Sequence, residues 1–165
     1  MNDRKKPGWP SENIPAAFPG RFIRNSPSTN ISEILDRLKR IGWKPGCPSS
    51  AREINAAEHA LRVRFPDDYR AFLLATGGKS KSDPWCGLFR LEELVSLNQA
   101  LPVFQWFGGL IGVGNEGFLV YALDYRNDPL EPPLVSLGLS SSDWADVQVE
   151  ANSFGEWLES TLLDC

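Results

Sequence analysis

Ser50-Ala51-Arg52-Glu53-Ile54, then Glu58 and Leu61, then Phe65-Pro66-Asp67-Asp68-Tyr69-Arg70-Ala71-Phe72-Leu73-Leu74, and last Gly77-Gly78, is where the helical part of this chain declares itself. Ser50 and Glu53 have the spacing of a capping box, in which hydroxyl and carboxylate satisfy each other's backbone N–H groups at a helix start. Ile54, Ala57 and Leu61 recur at helical spacing and give that helix one apolar stripe. Pro66 suits the first position of the next helix, where its missing N–H costs nothing. Asp67 and Asp68 place negative charge at the positive end of that helix. Tyr69, Phe72 and Leu73 form its inner face, and Gly77-Gly78 stops it. Glu58 is the odd residue: it sits only about 40° from Ile54, inside the apolar stripe. A half-buried carboxylate needs a partner, and Tyr69, Arg62 and Arg70 are available. The expected role is a polar tie between the two helices; the competing role is a general base.

Working outward, Asn30 and Glu33 form another capping box, Asn30 accepting from the N3 backbone while Glu33 reaches back. Ile31, Ile34, Leu35, Leu38 and Ile41 follow helical spacing up to a Gly42 stop. Residues 1–30 hold the prolines Pro7, Pro10, Pro15, Pro19 and Pro27, each lacking a backbone donor. They read as a proline-rich extension, partly docked through Trp9, Phe18, Phe22 and Ile23, ahead of a single domain over 31–165. Downstream, 88–91 reads as a short strand and 92–100 as a short helix stopped by Pro102. Residues 110–113 and 118–125 read as strands around a 114–117 turn, and 128–133 as a loop. Residues 134–137 and 146–151 are further strands, the last alternating at Val147 and Val149. Ser153 and Glu156 make a third capping box, opening a helix faced by Phe154, Trp157, Leu158 and Leu162. Helices, then hairpins, then a helix predict an α+β fold with an antiparallel sheet between N-terminal helices and a C-terminal one.

The 165 residues are 42% hydrophobic and 23% charged. That favours one domain with a core and excludes a disordered, collagen-like or disulfide-dense chain. Three cysteines and one histidine exclude a metal cluster built from those residues. Cys47, Cys86 and Cys165 are odd in number and far apart, so they read as reduced thiols. With no membrane-length apolar run and no signal-peptide core, the expected location is the cytoplasm. The net charge of −4 hides an asymmetry: residues 1–82 sum to +7 and residues 83–165 to −11. An acidic half repels nucleic acid and attracts basic proteins, although ordinary solubility charge gives the same count.

Gly112-Val113-Gly114-Asn115-Glu116-Gly117 matches G-x-G-x-x-G by letter. A dinucleotide site needs a helix after those glycines, but Phe118-Leu119-Val120-Tyr121-Ala122-Leu123 reads as a strand. A glycine-rich hairpin turn explains the motif better. His59 is the only histidine and lies about 140° from Ile54 around its helix, toward solvent, with no orienting acid on its face. Asp67/Asp68 and Glu92/Glu93 diverge by about 100° within each pair and converge on no common atom. No catalytic, metal or cofactor site emerges from these residues.

The stretch from Ser50 to Gly78 resembles the SUKH superfamily, which contains bacterial immunity proteins and fungal cell-wall-synthesis regulators of the Smi/Knr type. Phe89-Arg90-Leu91 with Glu92-Glu93-Leu94, the glycine turn and strand over 114–124, and Ser153-Phe154-Gly155-Glu156-Trp157-Leu158 follow in the family's order. The resemblance covers about residues 31–163. Arg62 stands where the family usually has glycine, Phe65 where it often has Leu, and Gly77 where Asn is common. The resemblance implies a SUKH-like domain acting without catalysis, cofactor or metal: an immunity protein that occludes a cognate basic toxin, one acting on nucleic acid. The competing implication is a regulatory or scaffold adaptor with no toxin. The partner is then a protein, and neither nucleic acid nor membrane. The acids expected to face it lie in polar loops: Asp128, Glu131, Asp143 and Asp146. Trp144 is either an aromatic anchor at that interface or a core residue.

Overall fold

The computed structural model describes residues 30–78 and 87–163, with side chains through 161. The expected extension, Cys86, Cys165 and the Leu162 side chain lie outside the described residues. Three helices come first: α1 (Ile31–Arg40), α2 (Ala51–Leu61) and α3 (Asp67–Thr76). Asn30 caps α1, but its side chain accepts from Ser32 N at 3.1 Å, one residue earlier than expected, while its amide donates to Glu33 at 3.0 Å. Gly42 N–H and Trp43 N–H close the last turn of α1 on Lys39 and Leu38 carbonyls at 3.1 and 3.0 Å, a Schellman end. The Ser50–Glu53 box on α2 is complete in both directions. In α3, Pro66 is the N-cap and Asp67 the first helical residue.

Two helices follow: α4 (Leu91–Ala100) and the single-turn α5 (Pro102–Trp106). The expected strand over 88–91 is only a bridge, Leu88 to Gly114. Two hydrogen bonds of 2.8 Å, Phe89 N to Val113 O and Asn115 N to Gly87 O, hold it there. Pro102 ends α4 as expected but also opens α5, because proline fits a helix start as well as a stop.

The sheet is an antiparallel meander of β1 (Leu110–Glu116), β2 (Leu119–Asp124), β3 (Leu134–Gly138) and β4 (Gln148–Ala151), paired in chain order. β1 runs three residues further than expected, so the turn shrinks to Gly117-Phe118. Gly117 takes φ +59, which a two-residue hairpin turn needs at its first central position. Val113 bulges between Gly112 and Gly114. A Cβ on Gly112 would lie 2.0 Å from the Phe104 ring, so that glycine makes room for α5. The G-x-G-x-x-G letters therefore serve a bulge and a turn, with no helix after them. The expected Val147/Val149 alternation fails differently. Val147 is buried, but it precedes β4; Val149 lies on the strand and is exposed. A bulge at Glu150 shifts the register, and Asp146, the expected first residue of that strand, instead ends a 3₁₀ turn over Trp144–Asp146.

α6 (Phe154–Leu163) closes the fold. Its Trp157 ring lies 5.0 Å from Tyr121, on the sheet face opposite Ala122 and Gly112. α6 thus covers one face, and Phe104 of α5 fills the other. The Tyr69 and Phe72 rings of α3 meet Phe154 at 4.7 and 5.2 Å. Asp68 accepts Gly155 N–H at 2.7 Å, so a first-turn acid of α3 also caps α6. The result is one core spanning helices and sheet.

Candidate partner-binding site

At the end of β2 the chain writes Asp124-Tyr125-Arg126, and the two charges fold back on each other. The Arg126 guanidinium grips the Asp124 carboxylate through Nε at 2.9 Å and Nη2 at 2.7 Å. The Arg126 backbone N–H donates to the same carboxylate at 3.1 Å. The side chains are only 6% and 3% exposed. A bidentate pair with an added backbone donor is the geometry in which a buried ion pair is fully satisfied.

Arg126 also carries Trp144. The guanidinium carbon sits 3.6 Å from the centre of the indole, within cation–π range. The Trp144 and Phe107 rings stand at right angles with their centres 4.8 Å apart. One guanidinium thereby joins the β2–β3 loop to the β3–β4 loop. Those loops hold all five residues expected at the interface. Asp128 and Glu131 lie on the first and Asp143, Trp144 and Asp146 on the second.

Their settings differ. Asp128 is half-buried and accepts Leu130 N–H and Glu131 N–H, both at 3.0 Å, so it shapes its own loop. Asp143 is exposed and caps the 3₁₀ turn by accepting Ala145 N–H at 2.9 Å. Asp146 and Glu131 are exposed. Trp144 is half-buried, with one ring face committed to Arg126. The Asp124–Arg126 clamp was not anticipated. The signal lay in the sequence: Arg126 is the sole Lys or Arg after Arg90. A lone cation amid acids and aromatics is a candidate for a buried pair.

The Glu58 tie forms as expected, and of the available partners it takes Arg70. Its carboxylate pairs with Arg70 and accepts Phe65 N–H at 2.7 Å. Neither Tyr69 nor Arg62 takes part; the Tyr69 hydroxyl is buried without a partner among the described residues. Arg70 reaches on to Asn55 at 3.1 Å. Both Glu58 oxygens are thus engaged, which leaves no lone carboxylate oxygen poised to take a substrate proton. Glu58 and His59 both edge an open hollow between α2 and the β2–β3 loop, but His59 is exposed and has no orienting acid among the described residues. Among the described residues no three His, Cys, Asp or Glu side chains converge as a metal site requires. No described helix is long and apolar enough to cross a membrane.

Helices on both faces of a four-stranded antiparallel meander, with acidic loops clamped at its rim, define an α+β domain of the SUKH type. The chain belongs to the SMI1 / KNR4 family (SUKH-1), whose model matches residues 48–160. The family includes immunity proteins, and its domains are generally non-catalytic and typically bind partner proteins. No curated protein matches the chain.

Proposed function

We propose that this protein is a cytoplasmic immunity protein that binds a cognate toxin with a basic, nucleic-acid-acting cleft and occludes it. The observation that carries this reading is the fate of Arg126. It is the only cation from residue 91 onward, and Asp124 buries and neutralises it. Arg126, committed to Asp124, then offers no counterweight to the exposed Asp143 and Asp146 of the β3–β4 loop. Asp143 and Asp146 project from a loop held in place, which supplies negative potential in a fixed geometry. A basic cleft is attracted to such a rim, and nucleic acid is repelled by it.

Co-expression with the C-terminal domain of the neighbouring open reading frame tests the proposal, with growth rescue and co-purification as readouts. Rescue is expected for the native chain. Asp143→Lys/Asp146→Lys should slow association at least tenfold at low salt and flatten its salt dependence. Absence of rescue and of a complex overturns the toxin reading in favour of an adaptor. Unchanged association by the charge-reversed variant overturns the assignment of the surface.

A further inference from the structure

Arg62 is the one non-glycine residue with positive φ among the described residues, at φ +58 and ψ +37, where it ends α2. Glycine takes this position at no steric cost, whereas a residue with a Cβ is held there against its preference. Arginine gains nothing from the helix dipole here that position 60 or 61 would not offer without strain. Arg62 is exposed, so packing does not account for it either. Its guanidinium makes no ion pair or hydrogen bond among the described residues, and His59, one turn earlier on the same rim, makes none.

Both side chains border the hollow whose apolar lining is Val63, Tyr125, Pro129 and Leu130. Leu130 is 64% exposed, an uncovered large side chain beside two uncommitted donors. Of the neighbouring charges, Glu58 is committed to Arg70, and Arg64 reaches Asp67 only in an exposed pair at 3.5 Å.

We infer that this hollow docks an acidic peptide segment whose apolar side chain rests on Leu130 while its carboxylate is held by Arg62. The occupant follows from charge complementarity. A planar guanidinium takes a carboxylate through two parallel hydrogen bonds, and the apolar lining asks for an apolar neighbour. A phosphate backbone fits less well, because it has no apolar side chain to set on Val63, Pro129 and Leu130. Neither Asp143 nor Asp146 lines this hollow, so it implies a second contact besides the proposed toxin.

The test uses the full chain and a fluorescein-labelled, end-capped Gly-Asp-Glu-Leu-Glu-Asp-Gly peptide, read by fluorescence anisotropy at low salt. Saturable binding is expected, weakened about tenfold when Leu is replaced by Ser and at least tenfold when the acids become Asn and Gln. Arg62→Gly should cost about tenfold in affinity, yet its melting temperature should equal or exceed that of the native chain, which separates lost binding from lost folding. Leu130→Ser should weaken binding similarly. Absence of binding, or full affinity in Arg62→Gly, overturns the proposal. Tighter binding of a ten-nucleotide thymidine strand that displaces the peptide overturns it in favour of nucleic acid. No toxin enters this experiment, so its failure leaves the preceding proposal standing.

Discussion

Replacing Arg126 with methionine probes the clamp most directly. Methionine keeps the length of the aliphatic stem and removes the charge, leaving the Asp124 carboxylate, 3% exposed, without its partner. Breaking a buried pair from one side costs about 3–5 kcal/mol. Loss of the stack on Trp144 costs about 1–2 kcal/mol. The two overlap, because one charge serves both, so the sum is an upper limit, and about 4 kcal/mol is the expected loss. Domains of this size are stable by about 5–15 kcal/mol, so the variant still folds but sits close to its limit. With a urea slope of about 2 kcal/mol/M, the unfolding midpoint followed by far-UV circular dichroism should fall by about 2 M. Asp124→Asn/Arg126→Met retains an acceptor for the backbone N–H of residue 126 and strands no charge. It should recover more than half of that loss. A midpoint shift below about 0.5 M in the single variant, or a double variant no better than the single, would refute the view that a stranded carboxylate sets the cost.

Asn98→Ala removes a buried amide that donates to Leu94 O and Gly112 O at 2.9 and 2.8 Å and accepts Gly112 N–H at 2.7 Å. Both backbone groups of Gly112 lose their partner, and a loss of about 2–4 kcal/mol is expected in the same urea assay. Burial pushes the Tyr69 hydroxyl well above the ordinary tyrosine range. Burial first, and then the charges of Tyr69, Glu58 and Asp68, do the same to Tyr125. The unfolded chain therefore releases these protons first, and stability should fall as pH rises through the ordinary tyrosine value near 10. Absorbance at 295 nm should show these two groups ionising only as the protein unfolds. Tyr69→Phe should reduce the alkaline loss at little or no cost at neutral pH.

The helical part of the fold was legible because its signals are local. Ser50 with Glu53, the Asn30 and Gly42 boundaries and the Ile54 stripe each act within a turn or two, and each appears within about one residue of its expected place. The strand errors came from non-local causes. The 88–91 segment pairs only through Leu88 with Gly114, beside the bulge at Val113, and Gly112 on the other side of that bulge is held by Asn98, 14 residues away on α4. Val149 alternates by letter, but the register shift at Glu150 decides which face it takes. Likewise the five expected interface residues were chosen for polarity and loop position. The Asp128 cap is a local turn in which an Asp side chain takes the N–H groups two and three residues on, but the sequence pattern could not say that Trp144 has one face committed, because that follows from where Arg126 points.

The clamp also accounts for how loops at opposite ends of one strand can act together. β3 is five residues long, about 16 Å at the usual rise, so the β2–β3 and β3–β4 loops leave it far apart. The Arg126–Trp144 stack brings the second loop back to the first. Were it absent, a partner would have to order both loops on binding, at about 0.5–1.5 kcal/mol for each immobilised side chain. Preorganisation of this kind acts after encounter and is felt in dissociation, whereas exposed acids act before contact and are felt in association. Arg126→Met should therefore shorten the lifetime of a complex while barely changing its formation rate, and reversal of Asp143 and Asp146 should do the opposite. If both variants change the same rate constant, the clamp is not positioning the loop, and the acids and the stack form a single electrostatic unit.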